Sequence, residues 1–594
     1  MTAHRGRAVA LGAGLGVLAC AGPVVWILIR NPWFLDSPAL APLLGLPGAG
    51  LGALLGLLLS RWLGRVPFVA AATLLALGLA ALPALSLAWP RPGPVPELRL
   101  LVVGVDGATW DLLDPMAARL PAFAALQERG VRAELQAAEP MFSPLLWTTL
   151  STGKTPEQHG IHGFNVHADA CRAARFWEIM EEAGLRTGIY KWLVTYPPAR
   201  LSAFQVPAWL APAPETWPAD LSFVKEIELS RRLRRKQVAQ RRGNLALVWD
   251  GAQHGLRLST IAAAARFSIA ERLDGPSPER AQRDGQLIRG WMDRDVFVWL
   301  LHRQRPAVAS FTGYAIDAIG HRFWRYFQPQ LFPEVPAAGV ARWGDSLDLA
   351  YQQADAILGE LLAQLPPEAH VVVLSDHGFQ PLIADDSGMF FAPRTERLAA
   401  RLTAEVGPVE VARLGHKVVV TPTGDDPALE RERIASWLGR LEQGSTGEPF
   451  YRWEPVADDP RALGLTLVDE HVPGERLERD TVGGEPIADY VAPGETFSGV
   501  HERDGIFIAA GPDLGRGVRI DPLSQLSVTP ILLALVGLPA AQDMVGEVPG
   551  AMFTRLPALG EGPESYDDLV ARRELVGGEE GANEEQLRAL GYIQ

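Results

Sequence analysis

Long uncharged stretches dominate the N-terminal part of the chain. Ala8–Ile29, Ser37–Ser60 and Val66–Pro90 contain no Asp, Glu, Lys or Arg. Each reaches or exceeds the ~20 apolar residues that a helix needs to cross the hydrocarbon core of a bilayer. The pattern therefore predicts three transmembrane helices. A cleavable signal peptide is the alternative for the first stretch, but its apolar run is longer than that of a signal peptide, and two further stretches follow it.

Beyond this region, short β-rich runs alternate with helical stretches. The runs are Leu100–Val105, Thr187–Tyr190, Val308–Tyr314, Val371–Ser375, Val418–Thr421 and Ile506–Ala509. Near-continuous apolar strands separated by helices are typical of a largely parallel sheet that is covered by helices on both faces. The pattern therefore predicts an α/β fold for this part of the chain.

The two patterns divide the chain into a membrane anchor and a body. The Pro-rich segment Arg91–Glu97 is a stiff spacer between them. We therefore predict an anchor over residues 1–97 and one large domain over residues 98–594. Two stretches of that domain are interpreted as insertions: a helical one at about 223–301, and one rich in acidic residues and proline at about 383–496.

Charge follows the same division. The anchor carries six Lys and Arg residues against two Asp and Glu, whereas the body carries 49 against 67, within a total net charge of −14. Arg5 and Arg7 precede the first span, and Arg61 and Arg65 lie between the second and third. Because basic residues favour the cytoplasmic side, the N-terminus is predicted to be cytoplasmic. Three crossings then place the body outside the cell membrane, in the periplasm if the source is a Gram-negative bacterium.

Composition excludes several classes of protein. A chain of 594 residues with 48% hydrophobic residues is too apolar to be mostly disordered. The acidic body does not favour binding to a nucleic-acid polymer. Two cysteines, Cys20 and Cys171, cannot form a disulfide framework or a zinc finger.

The polar residues that accompany the predicted strands are of the types that bind metals. In parallel sheets, ligands bind outside the carboxyl ends of the strands, and carboxylate with imidazole suits zinc and related divalent metals. The candidates are Asp106, Asp317, His321, Asp376, His377 and His501. Asp106 has an alternative role as a turn residue, and Asp317 with His321 as a surface pair. For Asp376 and His377 a metal is the better explanation, because an unpaired carboxylate at a buried strand end is costly.

Ser143 is the candidate nucleophile. It is predicted to be the N-cap of a helix that starts at Pro144 and ends before Gly153. Backbone amides at a helix N-terminus favour anions such as phosphate or an alkoxide. A simple capping role for Ser143 is the alternative.

Five motifs occur together in a characteristic order. They are Asp106-Gly107, the segment Ser143–Gly153 followed by Lys154–Ile161, Asp317-x-x-x-His321, Ser375-Asp376-His377-Gly378, and Gly499-x-His501. This order resembles the alkaline phosphatase superfamily, in its type I phosphodiesterase/nucleotide pyrophosphatase branch, over about residues 98–539. The resemblance implies an α/β/α sandwich and a metal-dependent phosphohydrolase that acts on a phosphate ester.

The resemblance also assigns roles to the candidates. It implies two metal ions, with zinc expected and manganese still possible. One ion would be held by Asp317, His321 and His501. The other would be held by Asp106, Asp376, His377 and the nucleophile, which falls on Ser143 and would form a phosphoseryl intermediate.

The chain departs from the family pattern at the expected phosphate contact. Many nucleotide pyrophosphatases have an Asn at the position of Phe164, and here Asn165 comes one residue later. Asn165 and Lys154 are therefore the candidate substrate contacts, with a solvated loop lysine as the alternative for Lys154.

Related activities are separated by other features. A sulfatase is disfavoured because Cys171–Arg175 lacks the Pro of the Cys/Ser-x-Pro-x-Arg motif. A membrane transferase of phosphoethanolamine or phosphoglycerol remains an alternative, as does an inactive membrane scaffold. The sequence thus predicts a membrane-anchored phosphodiesterase or phosphatase whose physiological substrate is left open.

Overall fold

The computed structural model describes most of the body and a short segment of the anchor. The described residues are 26–36, 91–138, 141–162, 167–235, 243–275, 277–332, 335–382, 391–414, 417–424, 426–444, 447–456, 459–467, 481–493 and 498–577. Apart from its end at residues 26–29, the first predicted span lies outside the described residues, and so do the second and third spans. Within the described ranges, no helix combines the length and the apolar character needed to cross a membrane.

The described residues contain nineteen strands. In chain order, β1 to β19 are Leu100–Val105, Val131–Gln136, Thr187–Tyr190, Phe204–Val206, Val308–Gly313, His370–Leu374, Gly378–Pro381, Phe391–Pro393, Val409–Leu414, Lys417–Pro422, Tyr451–Val456, Asp459–Leu467, Thr481–Val482, Glu485–Pro486, Val491–Pro493, Gly499–Glu502, Asp504–Ala510, Val518–Arg519 and Leu523–Ser524.

Besides a helical stretch at residues 26–30, the same residues form fifteen α-helices, together with several short 3-10 turns. In chain order, α1 to α15 are Trp110–Leu113, Pro121–Glu128, Ser143–Thr152, Pro156–His159, Phe176–Glu182, Ser222–Arg235, Asn244–Gln253, Leu258–Leu273, Pro278–Gln304, Ala315–Phe327, Ala337–Trp343, Ser346–Leu362, Thr395–Glu405, Pro427–Leu438 and Val528–Leu535.

A nine-stranded sheet forms the centre of the fold. Its strand order is β18-β2-β17-β6-β1-β5-β3-β4, with β19 also paired to β2. β1 pairs in parallel with both β5 and β6, and Leu100 is in register with Val308 on one side and His370 on the other. β3 is parallel to both β4 and β5. The predicted α/β architecture with a mostly parallel sheet is therefore confirmed.

Helices cover both faces of this sheet. All six residues of β1 are buried, and its side chains alternate between two apolar cores. Leu101 and Val103 pack with residues of α9, α10 and α12, whereas Leu100 and Val102 pack with residues of α3, α5 and α15. This two-sided burial explains why the strand reads as a continuous apolar run.

Two of the predicted strands are not parallel strands of the central sheet, and one strand of that sheet was not predicted. Val418–Thr421 lies in β10, which belongs to a separate antiparallel sheet and not to the central one. Ile506–Ala509 lies in β17, which is in the central sheet but runs antiparallel to both of its neighbours. The strand Val131–Gln136 was not predicted, because its alternating polar residues leave only every second position fully buried.

The region predicted as a second insertion contains its own sheet and core. Four antiparallel strands in the order β11-β12-β10-β9 pack with α13 and α14. Leu402, Val418, Ile434, Leu465 and Tyr490 are among the residues buried in this separate core. The first predicted insertion contains α7, α8 and most of α6 and α9.

A short ribbon connects the second sheet to the rest of the body. The chain leaves along β7 and returns along β16, and the two strands pair antiparallel with Gly499 opposite Pro381 and His501 opposite Phe379. The ribbon therefore joins this module to the body next to His377 and His501, two of the predicted metal ligands.

Candidate metal centre

The first group of candidate ligands lies where two neighbouring strands end. Asp106 follows β1, and Asp376 and His377 follow β6, so the parallel pairing of the strands brings the three side chains together. The Nε2 atom of His377 lies 3.5 Å from Asp106 Oδ1 and 3.5 Å from Asp376 Oδ2. All three residues are buried, and their geometry is suitable for one metal ion.

The second group combines a helix and the β7–β16 ribbon. α10 begins directly after β5 and presents Asp317 and His321 one turn apart, with 3.3 Å between Asp317 Oδ1 and His321 Nε2. His501 comes from β16, and its Nε2 lies 3.2 Å from Asp317 Oδ1 and 3.1 Å from His321 Nε2. These three residues also form a group that could hold a metal ion.

The two groups are adjacent. The imidazole rings of His377 and His501 stack with 3.6 Å between their centroids. Six side chains from four separate parts of the sequence therefore meet at the carboxyl edge of the sheet, in the same two sets of three that the resemblance implies.

Unsatisfied polar atoms in the first group show that it fits a cation. Asp106 Oδ1, both carboxylate oxygens of Asp376 and Nε2 of His377 are buried without a hydrogen-bond partner among the described residues. Burying a carboxylate without compensation is strongly unfavourable. A divalent cation bound by these atoms would remove that cost, because each of them can donate a lone pair to the cation.

The electrostatics of the protein alone agree with this conclusion. Burial raises the pKa of Asp106 well above its usual value, and the charges of Asp376 and Asp317 raise it further. Burial likewise raises the pKa of Asp376 and lowers that of His377. Burial also opposes ionisation of Asp317, but His321 and His501 outweigh it and hold the pKa of Asp317 well below its usual value. Metal binding would therefore displace protons from the first group.

Ser143 lies at the start of α3, and residues before and after it contact the two groups. The structure corrects one detail: Phe142 is the N-cap, Ser143 is the first helical residue and its side chain does not cap the helix. Two residues before it, the Met141 carbonyl oxygen lies 3.3 Å from Nδ1 of His501. One turn after it, Trp147 Nε1 donates a hydrogen bond of 3.3 Å to Asp106 Oδ2. Along the chain, Ser143 thus lies between Met141, which contacts His501 of the second group, and Trp147, which contacts Asp106 of the first.

Two glycines allow these elements to approach one another. A Cβ atom at Gly104 of β1 would lie 2.5 Å from the Trp147 ring, so the close approach of α3 to the strand requires glycine there. Gly107 has a φ of +73°, and a Cβ atom there would lie 3.2 Å from the backbone of Asp317. The contact between Trp147 and Asp106 was not predicted from the sequence, although a glycine inside a buried strand signals a close approach.

The loop after α3 fixes that helix. His159 is fully buried; its Nδ1 accepts a hydrogen bond from the Ile161 amide, so the neutral ring carries its proton on Nε2 and donates to Thr149 Oγ1. Lys154 Nζ lies 2.7 Å from Asp543 and 2.6 Å from Asp567. The structure therefore places the amino group of Lys154 in an ion-pair network with the C-terminal segment and not in the metal centre. Asn165 lies outside the described residues.

Comparison with known proteins gives the class of this protein. An α/β fold with two Asp/His groups at the carboxyl edge of its sheet is typical of metal-dependent hydrolases. The family model for type I phosphodiesterase / nucleotide pyrophosphatase matches residues 100–434, which is more than half of the chain. The chain belongs to this family, within the alkaline phosphatase superfamily, and is a hydrolase that acts on phosphoric ester bonds. No curated protein matches it.

The matched range contains all of the candidate ligands except His501. His501 follows the module that β7 and β16 connect, and only its position in the folded chain places it with Asp317 and His321. The family is metal-dependent, in agreement with the two Asp/His groups.

Replacing Asp376 by Asn tests whether the first group binds metal. We expect Asp376→Asn to reduce bound metal, measured by elemental analysis, and to raise the thermal midpoint of the metal-free protein at neutral pH, because burial holds the pKa of Asp376 well above its usual value and asparagine folds without the proton uptake that this carboxyl then requires. Asp355→Asn is the matched control. Asp355 is also buried, but it accepts hydrogen bonds from the Ala122 and Phe123 amides, which an asparagine oxygen can also accept, so its replacement should leave metal content unchanged. Unchanged metal content in Asp376→Asn would exclude the assignment.

His159 makes stability dependent on pH. Burial lowers its pKa from 6.5 to about 4, so between these values the unfolded chain takes up a proton that the folded protein does not. Stability is therefore lost as pH falls from about 6.5 to about 4, by an amount on the order of 3 kcal/mol. The thermal midpoints of the wild type and His159→Gln, measured across this range, should converge at low pH. A difference that stays constant with pH would contradict the assignment.

Proposed function

We propose that the protein is a membrane-anchored phosphodiesterase or phosphatase in which Ser143 is the nucleophile and the two Asp/His groups hold two divalent metal ions, with zinc expected. The observation that carries this proposal is the position of Ser143. It occupies the first turn of α3, between a contact to His501 in one group and a contact to Asp106 in the other.

The chemistry follows from what these residues offer. The Ser143 oxygen attacks phosphorus, the ester oxygen leaves with its bonding electrons, and a phosphoseryl intermediate results; water then attacks the same phosphorus and releases Ser143 and inorganic phosphate or a monoester. Bound metal ions supply positive charge that favours the alkoxide form of the serine and stabilises the charge on the phosphoryl oxygens. The amides at the N-terminus of α3 add a positive dipole end beside the same oxygens.

Hydrogen bonds and ring contacts hold the helix that carries Ser143 in place. Trp147 ties α3 to Asp106, and its indole packs edge-on against Trp192, whose own Nε1 donates to the Trp147 carbonyl. His159 secures the same helix through Thr149. These contacts fix the helix that carries the nucleophile relative to the first group, as nucleophilic catalysis requires.

The proposal includes three transmembrane helices with a cytoplasmic N-terminus. Its support is the described segment 26–36, which contains the end of the first predicted span and the loop that leads to the second. Asn31 donates hydrogen bonds to the carbonyls of Ala252 and Leu256, and Asp36 accepts from Ser259. The predicted topology places this segment after one crossing and the body after three, so both lie on the same side of the membrane, as their contacts require.

Replacement of Ser143 tests the nucleophile. With bis-p-nitrophenyl phosphate and p-nitrophenyl phosphate as substrates, we expect Ser143→Ala to lower kcat by at least ~10³-fold. Ser143→Thr should keep part of the activity and, after acid quenching, carry the phosphoryl group at residue 143 in mass spectra. Ser151→Ala is the control, because Ser151 is buried in the same helix but bonds only to the Thr148 carbonyl.

The substrate panel separates the related activities. Hydrolysis of p-nitrophenyl sulfate in preference to the phosphate esters would favour a sulfatase. Transfer of a phospholipid headgroup to an added acceptor, with little hydrolysis, would favour the membrane transferase. Undiminished turnover of phosphate esters by Ser143→Ala would overturn the proposed mechanism.

A further inference from the structure

One helix of the body exposes four apolar side chains on one side. In α7 the side chains of Leu245, Val248 and Trp249 are 87%, 40% and 43% exposed, and Ala246 between them is exposed as well. At 100° per residue these four positions fall within an arc of about 160°, which also contains Gln253 and the buried Ala252 one to two turns further on. The opposite side is buried through Leu247 and Gly251.

Such a face is unfavourable in water. Water disfavours exposed Leu, Val and Trp side chains, and a contiguous apolar patch on a protein surface marks a site of protein or membrane contact. The other side of α7 already packs against the body. The exposed side therefore needs a separate explanation.

The neighbours of α7 indicate what covers this face. Trp26 and Ile29, at the end of the first predicted transmembrane helix, are 50% and 65% exposed, and Trp26 Nε1 donates a hydrogen bond of 2.9 Å to Gln253 at the end of α7. Between them, Ile27 and Leu28 share a small buried core with Ala252. The apolar face of α7 thus adjoins the point at which the chain is predicted to leave the bilayer.

Residue types around the face agree with a lipid surface. Trp is enriched at the boundary between hydrocarbon and water, and both Trp26 and Trp249 lie here. The sequence that precedes α7, residues 231–242, contains seven Lys and Arg residues and no Asp or Glu. Interfacial helices typically combine an apolar face with nearby basic residues that attract anionic headgroups.

We propose that α7 docks its Leu245/Val248/Trp249 face into the outer surface of the bilayer, with anionic headgroups contributing to its binding. This inference rests on the proposed anchoring. It adds a second attachment, so that the body is bound to the membrane surface by α7 as well as tethered by its spans.

Fluorescent labels at single cysteines test this docking. In the full chain with Cys20→Ala and Cys171→Ala, an environment-sensitive probe is attached at Leu245→Cys or Val248→Cys. Leu569→Cys is the matched control, because Leu569 is 58% exposed beside Val570, which packs on the other face of the central sheet. Each variant is reconstituted into vesicles of phosphatidylcholine and phosphatidylglycerol, and its thermal midpoint shows whether it is folded.

We expect nitroxide lipids to quench the probes at 245 and 248 at least ~twofold more than the probe at 569, and iodide to quench them less. Omitting phosphatidylglycerol should weaken the lipid quenching. Equal quenching at all three sites would overturn the docking. A probe at 245 shielded from both quenchers would also overturn it, since a protein surface, from the chain's own spans or a second copy, would then cover α7. Failure of the protein to float with the vesicles would overturn the anchoring itself.

Discussion

The burial of two carboxylates beside a half-buried third, at the edge of one sheet, is the constraint on which the structure depends. Asp106 and Asp376 lie with His377, and Asp317 lies with His321 and His501, in two adjacent groups, each with its ligand atoms within 4.8 Å of one another; the carboxylates of Asp106 and Asp376 have atoms without hydrogen-bond partners among the described residues. An arrangement of this kind is unfavourable for the protein alone, because like charges are concentrated away from water. The flanking strands and helices hold these groups together at that cost, and a cation is what makes the burial favourable.

The two groups reach the site by different physical routes. Asp106, Asp376 and His377 are placed by the central strands β1 and β6, which pair in parallel and are buried along their whole length. His501 is placed by the β7–β16 ribbon, which also joins the body to the second sheet. Movement of that module relative to the body would therefore act on both groups, because His501 lies in β16 and His377 directly precedes β7.

Much of the site could be predicted because its residues directly follow short apolar runs. Asp106, Asp376 and His377 follow strands that the sequence shows clearly, and the i, i+4 spacing of Asp317 and His321 places them on one helix face. What escaped prediction depends on contacts distant in sequence. The partners of Lys154 lie about four hundred residues later. The antiparallel direction of β17 is set by the strands with which it pairs. The strand β2 is too polar on one face to be recognised from its sequence alone.

One long helix connects the segment 26–36 to the candidate metal centre. Near its C-terminal end, Trp299 of α9 donates to the Arg30 carbonyl beside the predicted first span. Near its N-terminal end, Gln282 donates to the Ala318 carbonyl in α10, one residue after Asp317. These contacts are about 25 Å apart along the helix. Because α9 is continuous and the ten consecutive residues Met292–Leu301 of its 27 are buried, the segment 26–36 and the second ligand group are held at a fixed separation. Attachment of the body to a surface would therefore set the distance between that surface and the site, in addition to restricting the diffusion of the protein.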